Sequence, residues 1–456
     1  ARCARDTPWE QIEAASGLGR EAIAEAATTY AHADKVIGIY GMGLTQHRLG
    51  VQNVHMIVNL LLMRGMIGKP GAGICPVRGH SNVQGQRTVG ITEKPQMVPT
   101  DKLRELYDFE PPAQKGLNTV EACEGMLDGR VRAFLSLGGN FLRAIPDTTR
   151  MEPAWRKLRL SVQIATKLNR SHVIHGQVAY LLPCLGRIDI DRQNGVEQFV
   201  SVEDSTGCMH GSRGQVEPPG PLVRSEPAIV AGIAKATLRD SHGVDWDALV
   251  GNYDLIRDKI EITFPELFRA FNDKVRQPGG FRLYNPASER VWKTDTGKAN
   301  FIPFRGLDED EPANDPSHLR LTTMRSHDQY NTTIYSLNDR YRSVFGRRDV
   351  VFANAEDIRR AGLKPGDRAD VWAVHQQGGA GDRVLRGLTV VDYPLPQGSC
   401  GAYYPEANRL VALQHYDPDC LTPSYKSVPV RLVAAQNVAD PAAVRIGAEG
   451  LSGAPM

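Results

Sequence analysis

Residues 65–85 read Gly-Met-Ile-Gly-Lys-Pro-Gly-Ala-Gly-Ile-Cys-Pro-Val-Arg-Gly-His-Ser-Asn-Val-Gln-Gly. Glycines at 65, 68, 71, 73, 79 and 85 permit positive φ angles and let a backbone approach a ligand closely. Arg78 follows an apolar, strand-like pair and precedes Gly79, so its guanidinium is expected in a pocket. There it would offer a planar, permanently charged fork to a small oxyanion. The competing reading is a loop arginine engaged in an ordinary salt bridge.

A second cluster, Thr322-Thr-Met-Arg-Ser-His-Asp-Gln-Tyr-Asn-Thr-Thr333, follows a strand-like run with one arginine, one histidine and many hydroxyl and amide groups. A nucleotide or a pterin needs such an inventory of donors and acceptors, and a solvated loop with capping side chains would also display it. A third comprises Ala402-Tyr-Tyr-Pro-Glu-Ala-Asn408 and Leu421-Thr-Pro-Ser-Tyr-Lys426. In it Tyr425 and Lys426 could set an aromatic face and an ammonium against a ring and a phosphate. The cysteines (3, 75, 123, 184, 208, 400 and 420) are scattered, no two within four positions. That spacing offers no zinc knuckle and no iron–sulfur run, so buried free thiols are expected.

These groups must be held by elements. Arg20 to Ala31 reads as a helix leading into a short buried strand, Lys35 to Tyr40, bounded by Gly41 and Gly43. Val51 to Met63 places Val51, Val54, Val58, Leu61 and Leu62 on one helical stripe ending at Gly65. Strands are expected at Val131 to Leu137, Leu158 to Ala165 and Val178 to Leu182. The alternation favours parallel sheets covered by helices, with ligands at the strands' carboxyl ends. An acidic, proline-bounded stretch between Phe304 and Ser317 marks a boundary. Beyond it, strands at 319–323, 368–374, 388–391 and 428–432 with a short helix at 355–361 predict a compact β-barrel. The expected division is 1–82 and 83–215 as α/β cofactor-binding regions, 216–315 as a mostly helical connection, 316–440 as the barrel and 441–456 as a tail.

The chain has 456 residues, 41% of them hydrophobic, and a net charge of +2 without a continuous cationic block, so neither nucleic acid nor membrane is an expected partner. The strongest apolar run, Met56 to Met63, is too short for a bilayer and contains Asn59. No apolar core follows the N-terminal Ala-Arg-Cys-Ala-Arg-Asp, so a cytoplasmic location is the default. Beginning without Met inside a helical pattern, the chain is expected to be a fragment or a processed product.

Taken together, the clusters resemble one family. Gly-Lys-Pro-Gly-Ala-Gly…Pro-Val-Arg-Gly-x-x-Asn-Val-Gln-Gly at 68–85 is similar to a stretch of formate dehydrogenase catalytic subunits. Tyr40-Gly-Met-Gly-Leu-Thr-Gln46 and Val51-Gln-Asn-Val resemble what precedes it there. Asn-Ala-Glu-Asp…Gly-Leu-Lys-Pro-Gly-Asp at 354–367 and Pro-x-Tyr-Lys at 423–426 resemble the molybdopterin-dinucleotide-binding barrel. Arg-Ser-His-Asp-Gln-Tyr-Asn-Thr-Thr at 325–333 points to the soluble molybdopterin oxidoreductase alpha-subunit branch.

The resemblance implies an α/β protein of Rossmann-like parallel-sheet domains sharing a bis(molybdopterin guanine dinucleotide) cleft, with a six-stranded double-psi-type barrel at the C-terminus. Arg78 matches the arginine that orients substrate carboxylate beside the metal. Met42, Gly43 and Gln46 match a cofactor-lining loop. Gly138, Gly139, Asn140, Thr166 and Lys167 fall where one guanine nucleotide is held. Arg325, Gln329, Tyr330, Asn331, Thr332, Asn408, Tyr425 and Lys426 fall on the barrel's pterin and phosphate contacts. The family's molybdenum ligand and its 4Fe-4S cysteines belong to segments upstream of those matched here, so no metal ligand is assigned, and Cys75 is not at the ligand's place. His80 stands where many formate dehydrogenases have glutamine, which leaves the substrate open. The expected activity is two-electron redox chemistry on a small oxyanion such as formate, with an electron-transfer protein as a possible partner. The alternative is a redox-inert, cofactor-binding relative.

Overall fold

A computed structural model describes residues 2–304, 317–374 and 383–436. The acidic stretch expected to mark the barrel's boundary and the expected tail lie outside the described residues.

Helix α1 (Arg20–His32) leads to β1 (Ile37–Tyr40), which α2 (Gly50–Met63) connects to β2 (Gly73–Pro76). The two strands pair in parallel, Ile37 opposite Gly73 and Tyr40 opposite Pro76. Gly50 opens α2 because a Cβ there would lie 2.2 Å from the Thr45 carbonyl oxygen. One unpaired amide of the helix's first turn, Val51 N–H, donates to Asp417 Oδ2 at 2.8 Å, so a residue of the distant barrel caps it.

The second parallel sheet is built from α3 (Thr119–Leu127), β3 (Ala133–Leu137), α4 (Thr148–Arg156), β4 (Leu160–Ala165) and β5 (Val178–Pro183), in the order β3-β4-β5. A capping box between Asn118 and Glu121 starts α3. The core beneath the sheet gathers Cys123, Met126, Leu142, Met151, Trp155 and Leu158.

The boundary expected at residue 215 is crossed by a third sheet. Strands β6 (Val200–Glu203) and β7 (Cys208–Ser212) form an antiparallel pair. After helices α5 (Glu226–Thr237) and α6 (Tyr253–Thr263), β8 (Phe281–Arg282) joins β7. Met209 packs with Phe268, Phe271 and Val275, so residues 200–212 share a core with the helical region instead of with the parallel sheet.

The C-terminal strands are β9 (His318–Met324), β10 (Val350–Ala353), β11 (Arg368–Ala373), β12 (Val384–Asp392), β13 (Ser399–Tyr403) and β14 (Val428–Ala434), with α7 (Ala355–Arg360) after β10. They close into a six-stranded barrel in the order β9-β13-β10-β12-β11-β14, and β14 pairs with β9. Leu321, Val351, Ala369, Val371, Val390 and Val430 fill its interior. The architecture is therefore α/β with parallel sheets and a closed C-terminal barrel. Among the described residues no helix is long and apolar enough to cross a membrane.

Candidate functional site

The barrel loop after β9 lies between the carboxyl ends of the two parallel sheets. At the end of β2, the His80 ring packs on the Tyr330 ring with centroids 4.7 Å apart. At the end of β4, the Lys167 ammonium stands 5.5 Å from the ring of Tyr335, in the same loop. Strand ends that are far apart in sequence thus converge on residues 325–335, where α/β folds place ligands.

Two cations define the barrel's side. Arg325 lies 4.6 Å over the ring of Tyr404. Lys426 is 7% exposed, and its ammonium donates to the Thr323 carbonyl. Desolvation first, then the Arg325 charge, lowers the Lys426 pKa to about 8. Burial, again aided by Arg325, also lowers that of His80 and favours a neutral imidazole. No ion pair joins Arg325 or Lys426 to a carboxylate among the described residues. Adjacent, partly desolvated cations without counter-ions are costly in isolation and suited to an anion.

The residues expected to bind cofactor divide by what their side chains do. The Gln329 amide donates to the carbonyls of Asn331 (2.7 Å) and Tyr404 (2.6 Å), which fixes the loop. Asn331, at φ +50°, accepts from the Tyr404 hydroxyl at 3.0 Å. Asn408 is fully buried and donates to the Arg143 carbonyl at 2.8 Å, while the Tyr425 hydroxyl donates to that of Ala144 at 2.7 Å. Gln329, Asn408 and Tyr425 thus hold backbone, and Asn331 holds the Tyr404 side chain. Gln46 contributes its carbonyl, which accepts from Lys426 N–H at 3.0 Å. Asn140 accepts from the Ser171 hydroxyl at 2.6 Å. Met42 is 40% exposed, and Thr166 and Lys167 are exposed, with Thr332 half-buried.

Gly138 and Gly139 turn the chain at φ +74° and +77°. A Cβ on Gly43, Gly79 or Gly139 would meet nothing within 4 Å, so open space surrounds these loops. Arg78 also differs from its expected enclosure: it lies in an exposed run, Val77 to His80, just past the end of β2. It sits close enough to Tyr40 to offset part of the rise that burial causes in that phenol's pKa. Sequence reasoning passed over Tyr335, whose ring faces Lys167, and included Tyr404 in a cluster without pairing it with Arg325. Nothing local marks either tyrosine as facing a cation.

Open glycine loops beside uncompensated cations and flat rings fit a dinucleotide carrying a diphosphate. Residues 319–429 match the Molydopterin dinucleotide binding domain, a span that coincides with the barrel. By this domain and by its relatives the chain is similar to the molybdopterin oxidoreductases. It is 49% identical to Protein YdeP of Escherichia coli over 94% of this chain and 56% of that protein. It is 46% identical to an uncharacterized oxidoreductase of Mycobacterium tuberculosis, over 92% of this chain and 54% of the other. With formate dehydrogenase H of E. coli the identity is 24%, over 94% of this chain and 60% of that enzyme. The chain thus spans little more than half the length of the curated relatives it matches.

Of the six described thiols, three are buried as expected and three are not, Cys75 and Cys208 being half-buried and Cys420 exposed. Cys123, Cys184 and Cys400 are buried, and burial pushes Cys123 up to about 12 and Cys184 to about 11. Cys75 is half-buried on β2 and unpaired.

Proposed function

We propose that this chain supplies the cofactor cradle and the substrate-orienting arginine of a two-electron oxidoreductase acting on a small oxyanion such as formate. The resident group would be bis(molybdopterin guanine dinucleotide) with molybdenum. A 4Fe-4S cluster would belong to the full-length protein, which would work in the cytoplasm and pass electrons to a protein partner. The observation that carries the reading is the pair of cations, Arg325 on the loop where both sheet ends meet and Lys426 beside it, neither with a carboxylate partner among the described residues.

In this arrangement Arg325 and Lys426 neutralise one diphosphate by charge-assisted hydrogen bonds. Thr166 and Lys167 face the second nucleotide, and Gly138 and Gly139 let backbone N–H groups approach it. Met42 and Gly43 border the cleft from the first sheet. Bound in the cradle, the metal and pterin would exchange two electrons with substrate. Arg78 fixes the substrate carboxylate through its two-point fork, and such positioning lowers the barrier by pre-paying orientation. His80, held neutral, leaves that carboxylate to Arg78 alone.

The test is metal and pterin analysis of the purified full-length protein, followed by formate-dependent reduction of an artificial acceptor. One molybdenum and two pterins per chain with formate turnover are expected. A full-length protein purified without pterin would overturn the cradle, and a loaded protein inert to every small oxyanion would overturn the substrate class.

A further inference from the structure

A second cationic cavity lies where α4 and its flanking loops meet the barrel. Its volume is about 560 Å³, within the range of small-molecule sites, and it shares none of the residues assigned to the cofactor cradle. Four arginines (143, 156, 170 and 409) and two glutamates (152 and 406) line it. The glutamates are already neutralised. Glu152 accepts from Arg143 at 3.2 Å and from Arg170 at 3.1 Å, and Glu406 pairs with Arg348 at 2.7 Å. Arg156 and Arg409 therefore face the cavity with no carboxylate partner among the described residues.

Arg409 is the better held of the two. One terminal nitrogen donates to the Thr149 hydroxyl in the first turn of α4 at 3.1 Å. Its Nε is enclosed and has no hydrogen-bond partner. An enclosed donor without an acceptor costs free energy unless a ligand supplies one. Burial lowers the pKa of Arg143 nearby, so the cavity's charges act in a partly desolvated setting where they attract an anion more strongly than in water.

From this geometry we infer a binding site for a nucleoside diphosphate at the junction of α4 and the barrel, with Arg156 and Arg409 taking the diphosphate. Two guanidinium forks match a diphosphate better than a monoanion, which would leave one fork unpaired. The volume left beyond the diphosphate accommodates a nucleoside. Because Arg156 comes from α4 and Arg409 from the barrel, the ligand bridges both.

The experiment is calorimetric titration of the full-length protein with ADP, pyrophosphate and AMP at low ionic strength. The wild type is compared with Arg156→Ala, Arg409→Ala and, on the cradle side, Lys167→Ala. ADP is expected to bind once per chain, more tightly than pyrophosphate, and AMP at least tenfold more weakly than ADP. Loss of either arginine weakens ADP roughly tenfold or more, the usual effect of a charge-assisted contact, and Lys167→Ala leaves it unchanged. If Arg409→Ala does not fold, the exposed Arg156→Ala carries the test. Pyrophosphate binding as tightly as ADP would reduce the site to one for free pyrophosphate and overturn the nucleoside. Absence of binding, or binding lost in Lys167→Ala and kept in Arg156→Ala, would overturn the site altogether.

Discussion

Arg78 and Arg325 carry the same charge and are assigned opposite duties, so their variants should separate. Arg78→Lys keeps the cation and loses the fork. Turnover of the full-length enzyme should fall tenfold to a thousandfold, since one positioned charge-assisted contact contributes on the order of 1.5–4 kcal/mol, while cofactor content stays constant. Arg325→Ala should lower cofactor occupancy and spare the activity per bound molybdenum. Steady-state kinetics with metal analysis reads both, and loss of cofactor in Arg78→Lys at constant specific activity would make Arg78 a scaffold residue. Lys426 adds a pH signature. Its folded pKa of about 8 lies below the ordinary 10.5, so between these values the unfolded chain binds more protons than the folded one. Stability of the cofactor-free protein should therefore rise with pH across that window. The difference between wild type and Lys426→Met in urea titrations isolates this slope. Diphosphate affinity should run the other way and fall as the ammonium is lost above about pH 8. Arg78 stood out in the sequence beside a glycine after a strand-like pair, Arg325 among hydroxyl and amide groups after a strand, and Lys426 beside an aromatic residue before the last strand. The pairing of cations with tyrosine rings did not, because a ring facing a cation from another loop leaves no local pattern.

At the level of elements, what was legible followed periodicity. The runs at 37–40, 133–137, 160–165 and 178–183 are apolar, short and bounded by turn residues, and they pair in parallel. Strands β10 and β13 escaped notice, since Val350–Ala353 follows a charged run and Ser399–Tyr403 opens with small residues. Val350–Ala353 has strand-favouring residues in a run of only four, whereas Ser399–Tyr403 becomes a strand by pairing between β9 and β10, a tertiary effect that overrides local propensity. The β6-β7-β8 sheet was illegible for another reason: its third strand has two residues and pairs across about seventy intervening positions. The loop that ends β3 yields a prediction at this scale. Gly139 sits at φ +77° with nothing near its would-be Cβ, so Gly139→Ala meets backbone strain alone. It should cost about 1–2 kcal/mol in denaturant unfolding. Cofactor retention should drop further than this loss of stability explains, because the new methyl enters the space proposed for a nucleotide. Unchanged cofactor content with the expected stability loss would place the nucleotide elsewhere.

Across the whole molecule, the barrel is tied to both sheets by buried polar contacts. Lys426 N–H meets the Gln46 carbonyl, and Asp417 caps α2 from the barrel at 2.8 Å. Leu413 enters the same apolar cluster as Trp155. The strongest tie is Asp147, fully buried at φ +54°. Its carboxylate receives Arg383 at 2.9 and 3.1 Å, and its N–H donates to the Asn408 and Val411 carbonyls at 3.1 and 2.9 Å. Arg383 is only 2% exposed, so losing the Asp147 charge takes a counter-charge from a buried guanidinium, and Arg150, 3.1 Å from the same carboxylate, loses one too. Breaking one partner of such a pair typically costs 3–5 kcal/mol. Asp147→Asn preserves the shape but sets an amide N–H₂ against a guanidinium donor, and it should destabilise the protein by about that amount. The loss should also be uneven. Hydrogen exchange in the wild type should report similar opening free energies for the amides of β4 and β11, because the two regions unfold together. In Asp147→Asn the barrel amides should exchange at a lower free energy than those of β4, as the junction opens before the parallel sheet does. Equal protection of both strands in the variant would mean that the apolar contact at Leu413, and not the ion pair, makes the molecule cooperative.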